Sequence, residues 1–366
     1  MKFKKGIGLI SLLLVLSLSL VGCGSTTTVE QTPTIEDYNN EIVIDTTNTV
    51  ESTENTEVPN NTELETPSVS EDLLGDIEVK FIDVGQADSC LIVTANNDAI
   101  LIDAGEDRDA EAIIDVIADY DIPDIDLMVL THPHADHIGG AQTILETYTV
   151  KEVMMSSYPA TSKLFNNLLT ALEENPNIVV TQATVGLEKE IDGVELVVVG
   201  VDSIPKDNNN SSVVMKMTYG TVDIMFTGDA EEDAEEIILQ NGFDLNAEVL
   251  KVGHHGSETS TSDSFLEAVN PKVAIISVGE GNKYAHPADI ILKKLTDKGV
   301  QYYRTDELST ITLEIDGKDI VTSIEDNFET VNARSGSFIY TPNVAEVELE
   351  LESIVIENQE GLKSEN

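Results

Sequence analysis

All six histidines of this 366-residue chain fall in three short clusters: Thr131-His132-Pro133-His134-Ala135-Asp136-His137, Gly253-His254-His255-Gly256 and Ala285-His286-Pro287. Imidazole is the commonest side-chain ligand for metals, and nothing else in the sequence uses it, so the distribution points to one metal site assembled from distant segments. The pattern therefore requires a fold that carries segments between residues 132 and 286 to one point. That is the signature of a metal-dependent hydrolase assembled from distant loops.

The flanks read differently from the middle. Met1 to Lys5 is basic, and Ile7 to Val21 is an apolar run too short for a comfortable permanent membrane span. It ends in Leu20-Val21-Gly22-Cys23, which resembles a bacterial lipobox. A signal peptide over 1–22 and lipidation of Cys23 are expected, with the chain held at the outer face of the cell membrane through that anchor alone. From Cys23 to Asp76 the chain is rich in Thr, Glu and Asn and lacks Lys and Arg, a composition expected to give a disordered acidic tether. Cys90 lies in an apolar run and reads as a small buried hydrophobe; with Cys23 acylated, no intrachain disulfide is expected.

A folded domain is expected over 77–328, large enough for one substantial α/β core. Between Ile77 and Glu329 stand 48 acidic residues against 15 Lys and Arg. Such a balance excludes long nonspecific tracking along nucleic acid, which rests on neutralising phosphates. Residues 329–366 read as an acidic tail or the start of a further module, with a strand-period alternation over 347–352.

Within the domain, Glu78 to Val84, Ser89 to Thr94 and Ala99 to Ile102 predict an opening strand meander. Helices are predicted over 109–120, 141–146, 162–174, 230–240, 264–269 and 287–297. Strands are predicted over 127–130, 178–180, 194–199, 212–218, 222–226, 249–252, 273–277 and 311–315. Two mixed sheets packed face to face with helices outside accommodate that order.

In the first cluster a strand runs into a tight loop presenting His132, His134, Asp136 and His137, more donors than one tetrahedral site needs, so a pair of ions is expected. Asp229 ends the apolar strand of Phe226-Thr227-Gly228-Asp229. One carboxylate there is suited to bridging two cations about 3.5–4 Å apart. Of His254 and His255, neighbours in a segment read as extended, one is expected to bind metal and the other to orient a ligand or substrate, with His255 preferred. His286 precedes Pro287 at a helix start and joins the metal set. Asp103, ending the strand of Ile102-Asp103-Ala104-Gly105, is expected to orient a ligand from behind. The catalytic assignment is Asp136, Asp229 and His286. Asn210, Ser257, Asn282 and Tyr284 are the candidate substrate contacts.

Phe81-Ile82-Asp83-Val84-Gly85-Gln86-Ala87-Asp88-Ser89, the strand ending at Asp103, the His132 to Gly140 loop, Phe226 to Asp229, Leu250 to Ser257, and Ser277 to Pro287 together resemble the metallo-β-lactamase fold. Their nearest likeness is to the C-terminal domain of the ComEC family of DNA-internalisation proteins. The resemblance implies an αββα sandwich with metals at one edge between the sheets. ComEC proteins carry a multi-span channel with no counterpart in this sequence, so DNA uptake is not carried over. Many enzymes of the fold place a further histidine before the bridging Asp, where this chain has Asn208-Asn209-Asn210-Ser211-Ser212.

The expected activity is phosphodiester hydrolysis by two divalent ions, zinc first and manganese tolerated, that lower the pKa of a bridging water. The expected substrate is extracellular DNA or a cell-wall polymer. A β-lactam or lactone hydrolase and a non-catalytic metal-binding surface lipoprotein are the alternatives.

Overall fold

The computed structural model describes residues 74–202, 204–324, 327–331 and 338–340. The signal peptide, Cys23, the tether and the 347–352 alternation lie outside these residues. The described chain opens with an antiparallel meander of β1 (Ile77–Phe81), β2 (Cys90–Val93) and β3 (Ala99–Ile102). In β1 the side chains of Ile77, Val79 and Phe81 turn inward while Glu78 and Lys80 turn out, the period-2 pattern of a half-buried strand. β2 and β3 are buried on both faces, which explains their unbroken aliphatic sequences.

After α1 (Ala110–Ala118) the sheet grows by parallel addition of β4 (Ile125–Leu130). Helices α2 (Ala135–Ile138) and α3 (Ala141–Thr147) then lead to β5 (Val150–Met155). Next come α4 (Lys163–Glu174) and β6 (Val179–Gln182). The Ser162 side chain caps α4 by accepting the Phe165 N–H at 3.1 Å, and Phe165, Leu168 and Leu172 face the sheet.

A second sheet begins with antiparallel β7 (Glu188–Ile191), β8 (Val194–Gly200), β9 (Val214–Tyr219) and β10 (Val222–Phe226). Parallel units follow: α5 (Glu232–Gln240) to β11 (Val249–Lys251), α6 (Asp263–Val269) to β12 (Val273–Ile276), and α7 (Asp289–Asp297) to β13 (Gln301–Arg304). The short α8 (Thr305–Leu308) returns the chain to the first sheet, where β14 (Ile311–Ile315) pairs with β1. β15 (Ile320–Ile324), β16 (Asn327–Val331) and β17 (Phe338–Tyr340) extend that edge by successive antiparallel pairing. The sheet thus runs past residue 328, where the sequence analysis ended the domain. The polar, short segments that became β7 and β13 were not predicted as strands either, because edge positions demand little hydrophobicity.

The two sheets meet through Phe81, Ile92 and Val129 on one side and Met215, Ile224 and Ile275 on the other. Phe81 and Phe226 stack with centroids 6.0 Å apart. Helices α1, α3 and α4 cover the outer face of the first sheet, and α5, α6 and α7 that of the second. The result is the expected αββα sandwich. Three buried layers leave the strand ends as the place where loops from both sheets can converge. No helix of the described residues is long and apolar enough to cross a membrane.

Candidate metal centre

β3 leads into Asp103, a buried residue in the left-handed region (φ 60°), a conformation that Asp tolerates better than most side chains. Its carboxylate accepts the Thr131 N–H and the Thr131 hydroxyl, each at 2.8 Å, and lies 2.7 Å from His137 Nδ1. That contact fixes the outer nitrogen of His137 as the N–H and turns Nε2 inward, 3.2 Å from Asp229 Oδ1. The loop can close this tightly because Gly139 follows α2: a Cβ there would lie 2.4 Å from both Ala135 O and Asp107 N.

From the second sheet, Asp229 follows β10. Its N–H donates to Ser212 Oγ at 3.0 Å, and the same hydroxyl lies 3.3 Å from His132 Nδ1. The segment after β11 is not extended, contrary to the reading from sequence. His254 and His255 occupy a left-handed turn, φ 48° and 52°, which sends one ring outward and buries the other. His255 Nδ1 is 3.0 Å from Ser277 O and 3.2 Å from Asp88 Oδ1. Its Nε2 faces Asp136 Oδ2 at 3.4 Å and Asp229 Oδ2 at 3.7 Å.

Two groups of donor atoms meet at the strand ends, Asp136, His137, Asp229 and His255 in one and His132, His134 and Asp229 in the other, each drawn within 4.8 Å, while Asp88, Asp103 and His137 form a further group behind them. Asp229 belongs to the first two. His137 Nε2, His255 Nε2 and Asp229 Oδ1 are buried with no hydrogen-bond partner, although both imidazole nitrogens lie in ion-pair range of the Asp229 carboxylate. Buried polar atoms are rarely left so, and three converging on one point are what a bound cation satisfies. The donors are nitrogen and carboxylate oxygen, a set suited to zinc or manganese. The residues therefore fit a metal centre.

Electrostatics agree. Burial opposes charge on each of these groups, yet the histidines around it, His137 foremost, hold the Asp229 carboxyl well below the usual range. Against the same penalty His255 and His137 bring Asp136 down to about 2. His137 is pushed well above the usual imidazole range by Asp229 and Asp103, and His255 is pushed up to about 10 by Asp229 and Asp88. Burial wins at His132, which falls well below that range. The site is a concentration of negative charge that demands positive partners.

A cleft of about 300 Å³ opens over this array, bordered by Gln86, His134, Asp136, His254, Tyr284 and His286. His254, half-buried, has Nε2 3.8 Å from Asp229 Oδ2 and Nδ1 3.2 Å from Glu231 Oε1, which also accepts from Asn209 and Thr259. His286 belongs to neither donor group. It stands three positions before α7, its ring lying 5.5 Å from that of His254 and its Nδ1 3.5 Å from Gln86 Nε2, so it borders the cleft and does not complete the cluster.

Three of the candidate substrate contacts are occupied internally. Asn210 is buried; its Oδ1 accepts the Glu231 and Ala234 N–H groups at the start of α5, and its Nδ2 donates to Asp207. Ser257 is buried against Thr259. Asn282 donates to Gly279 O and His286 O and accepts from the Tyr284 and His286 N–H groups. Tyr284 alone of the four reaches the cleft. Four supporting residues had no role in the sequence reading: Ser212, Glu231, Asp88 and Lys251. Lys251 is buried and pairs with Asp88 at 2.7 Å. An ammonium inside the run Val249-Leu250-Lys251-Val252 was the one available signal.

A two-sheet sandwich with a His and Asp donor array at its strand ends defines the class, and this chain belongs to the metallo-beta-lactamase superfamily, whose family model matches residues 82–280. Within it, the chain is homologous to competence proteins of the ComEC type. It is 30% identical over 252 residues to ComE operon protein 3 of Bacillus subtilis strain 168, covering 64% of this chain and 32% of that protein. It is 29% identical over 227 residues to competence protein ComA of Neisseria gonorrhoeae, covering 61% and 30%. The chain thus spans about a third of the length of these curated relatives. Among solved structures it is similar to the metallo-beta-lactamase fold protein YhfI of Bacillus subtilis, with a TM-score of 0.43, 13% identity and coverage of 63% and 95%.

Proposed function

We propose that this chain is a metal-dependent phosphodiesterase acting at the outer face of the cell membrane, anchored there through a lipid on Cys23. The observation that carries the reading is Asp229, shared by two donor groups beneath an open cleft. His132, His134, Asp136, His137, Asp229 and His255 would hold divalent ions, which would supply the Lewis acidity that lowers the pKa of water and offsets charge on a phosphoryl oxygen. Asp103 and Ser277 O fix the outer nitrogens of His137 and His255, so that both rings present Nε2 without rearrangement. Asp136 and His134 line the cleft and meet the substrate side of the array. His254, steadied by Glu231, borders the phosphoryl position from the opposite wall. The competence-protein relatives support nucleic acid as substrate; the acidic surface supports a small diester or a wall polymer.

The test is to measure the metal content of the purified protein and its activity on bis(p-nitrophenyl) phosphate, single-stranded DNA and a chromogenic cephalosporin. Bound zinc or manganese with turnover of a diester is expected. Turnover of the cephalosporin alone, or metal binding with no turnover, overturns the reading.

A further inference from the structure

The rings that lead out of the metal centre form a series. His255 and His254 lie 6.1 Å apart, His254 and His286 5.5 Å, and His286 and Tyr284 5.7 Å, the last pair nearly parallel at 27°. Tyr284 is 55% exposed and is the one aromatic among the large exposed hydrophobic side chains of the described residues. An exposed ring at the rim of the cleft offers a face on which a planar group can stack. Its loop is rigid. The Asn282 amide spends both ends on four backbone groups between Gly279 and His286, and Gln86 Oε1 accepts the Gly279 N–H at 3.1 Å from the opposite wall. Lys283 places its ammonium 4.9 Å from the Tyr284 ring centroid on an exposed, flexible stem. A flat guest can enter between ring and ammonium, gaining a stacked face and a cation together.

We propose that Tyr284, backed by His286 and covered by Lys283, is a subsite for one planar aromatic ring carried next to the scissile phosphate, as in a nucleotide ester. The inference rests on the phosphodiesterase reading and narrows it. With 48 acidic residues against 15 basic ones between residues 77 and 329, the domain lacks the excess of Lys and Arg on which a long phosphate track rests. Recognition must come from the ions and from stacking, which tolerates any base and needs no basic groove. The substrate is therefore a short or terminal nucleotide-type diester, not a polyol-phosphate wall polymer and not the interior of a long strand.

Two esters with the same leaving group separate the possibilities: thymidine 5′-(p-nitrophenyl) phosphate and methyl p-nitrophenyl phosphate, each assayed with metal-loaded wild type, Tyr284→Ala and Tyr284→Phe. Wild type is expected to prefer the thymidine ester by about tenfold or more in kcat/KM, the scale of one base stacked on an aromatic side chain. Tyr284→Ala should bring that ratio close to one, and Tyr284→Phe should keep most of it. Equal use of both esters by wild type, or a ratio unchanged in Tyr284→Ala, overturns the subsite and leaves the phosphodiesterase reading standing. Turnover of neither ester overturns the phosphodiesterase reading. The subsite is then decided by calorimetry with thymidine 5′-monophosphate and deoxyribose 5-phosphate: a preference for the former that Tyr284→Ala removes supports it, and equal affinities overturn it.

Discussion

On one side of Asp229 stand Asp136, His137 and His255, the two rings braced from behind by Asp103 and by Ser277 O. On the other side His132 and His134 lean on each other, with Nε2 and Nδ1 only 2.9 Å apart, and on the hydroxyls of Thr131 and Ser212. The braced side has four donors and the leaning side three. Where a further imidazole would complete the leaning side, the chain carries its Asn-rich loop, whose buried Asn210 is committed to α5. A preorganised site holds its ion more tightly than one that must rearrange, so the two positions should load in sequence, the braced one first.

The harshest way to break this comparison is to remove what the two sides share. Asp229→Ala should eliminate both ions and bring diester hydrolysis below detection while circular dichroism remains native. Retention of one ion by elemental analysis would show that Asp229 serves one side only. Next in size is the buried pair behind His255. Lys251→Met takes the ammonium from buried Asp88, leaving His255 Nδ1 at 3.2 Å as its neighbour, and should lower the unfolding free energy by up to about 3–5 kcal/mol in urea titration. Replacing both partners, Lys251→Met with Asp88→Leu, should recover most of that loss, while His255 loses a neighbour and braced-side affinity drops.

Asp103→Asn sharpens the comparison directly. It should cost about 10–100-fold in affinity for the more tightly held ion. His132→Ala should instead release the weaker ion and spare the tighter one in equilibrium dialysis. The smallest effect concerns the rim. In metal-free protein, burial first and then His254 and His255 hold His286 down at about 4, below the ordinary 6.5. A ring harder to protonate when folded contributes fully above pH 6.5 and loses that contribution as pH falls toward 4. Denaturation of wild type and His286→Gln should therefore show a constant difference above pH 7 that shifts against wild type between 6.5 and 4. The shift should be modest, since the ring is half-exposed and screened.

The donor set was legible because it consists of residues with few other uses: clustered histidines, and aspartates at the ends of apolar runs. The sandwich was legible for the same reason, since the aliphatic sequences of β2, β3 and β12 read as strands buried on both faces. What sequence hid depends on where side chains turn. The left-handed turn at His254 and His255 is invisible in residue type. Asn210 and Asn282 look like ligands for phosphate but close backbone hydrogen bonds, a use every loop has for asparagine. His286 shares its chemistry with the donors but not their position, because its loop belongs to the far wall.

His132, His134, Asp136 and His137 rise from the first sheet, whereas Asp229 and His255 rise from the second. Any cation they share is a rivet through the seam of the sandwich, joined to each half by short bonds. Chelation should then do more than silence catalysis. It should let the halves breathe apart, seen as faster amide exchange in β4 and β10 together, so that mechanical integrity and chemistry answer to one supply of metal.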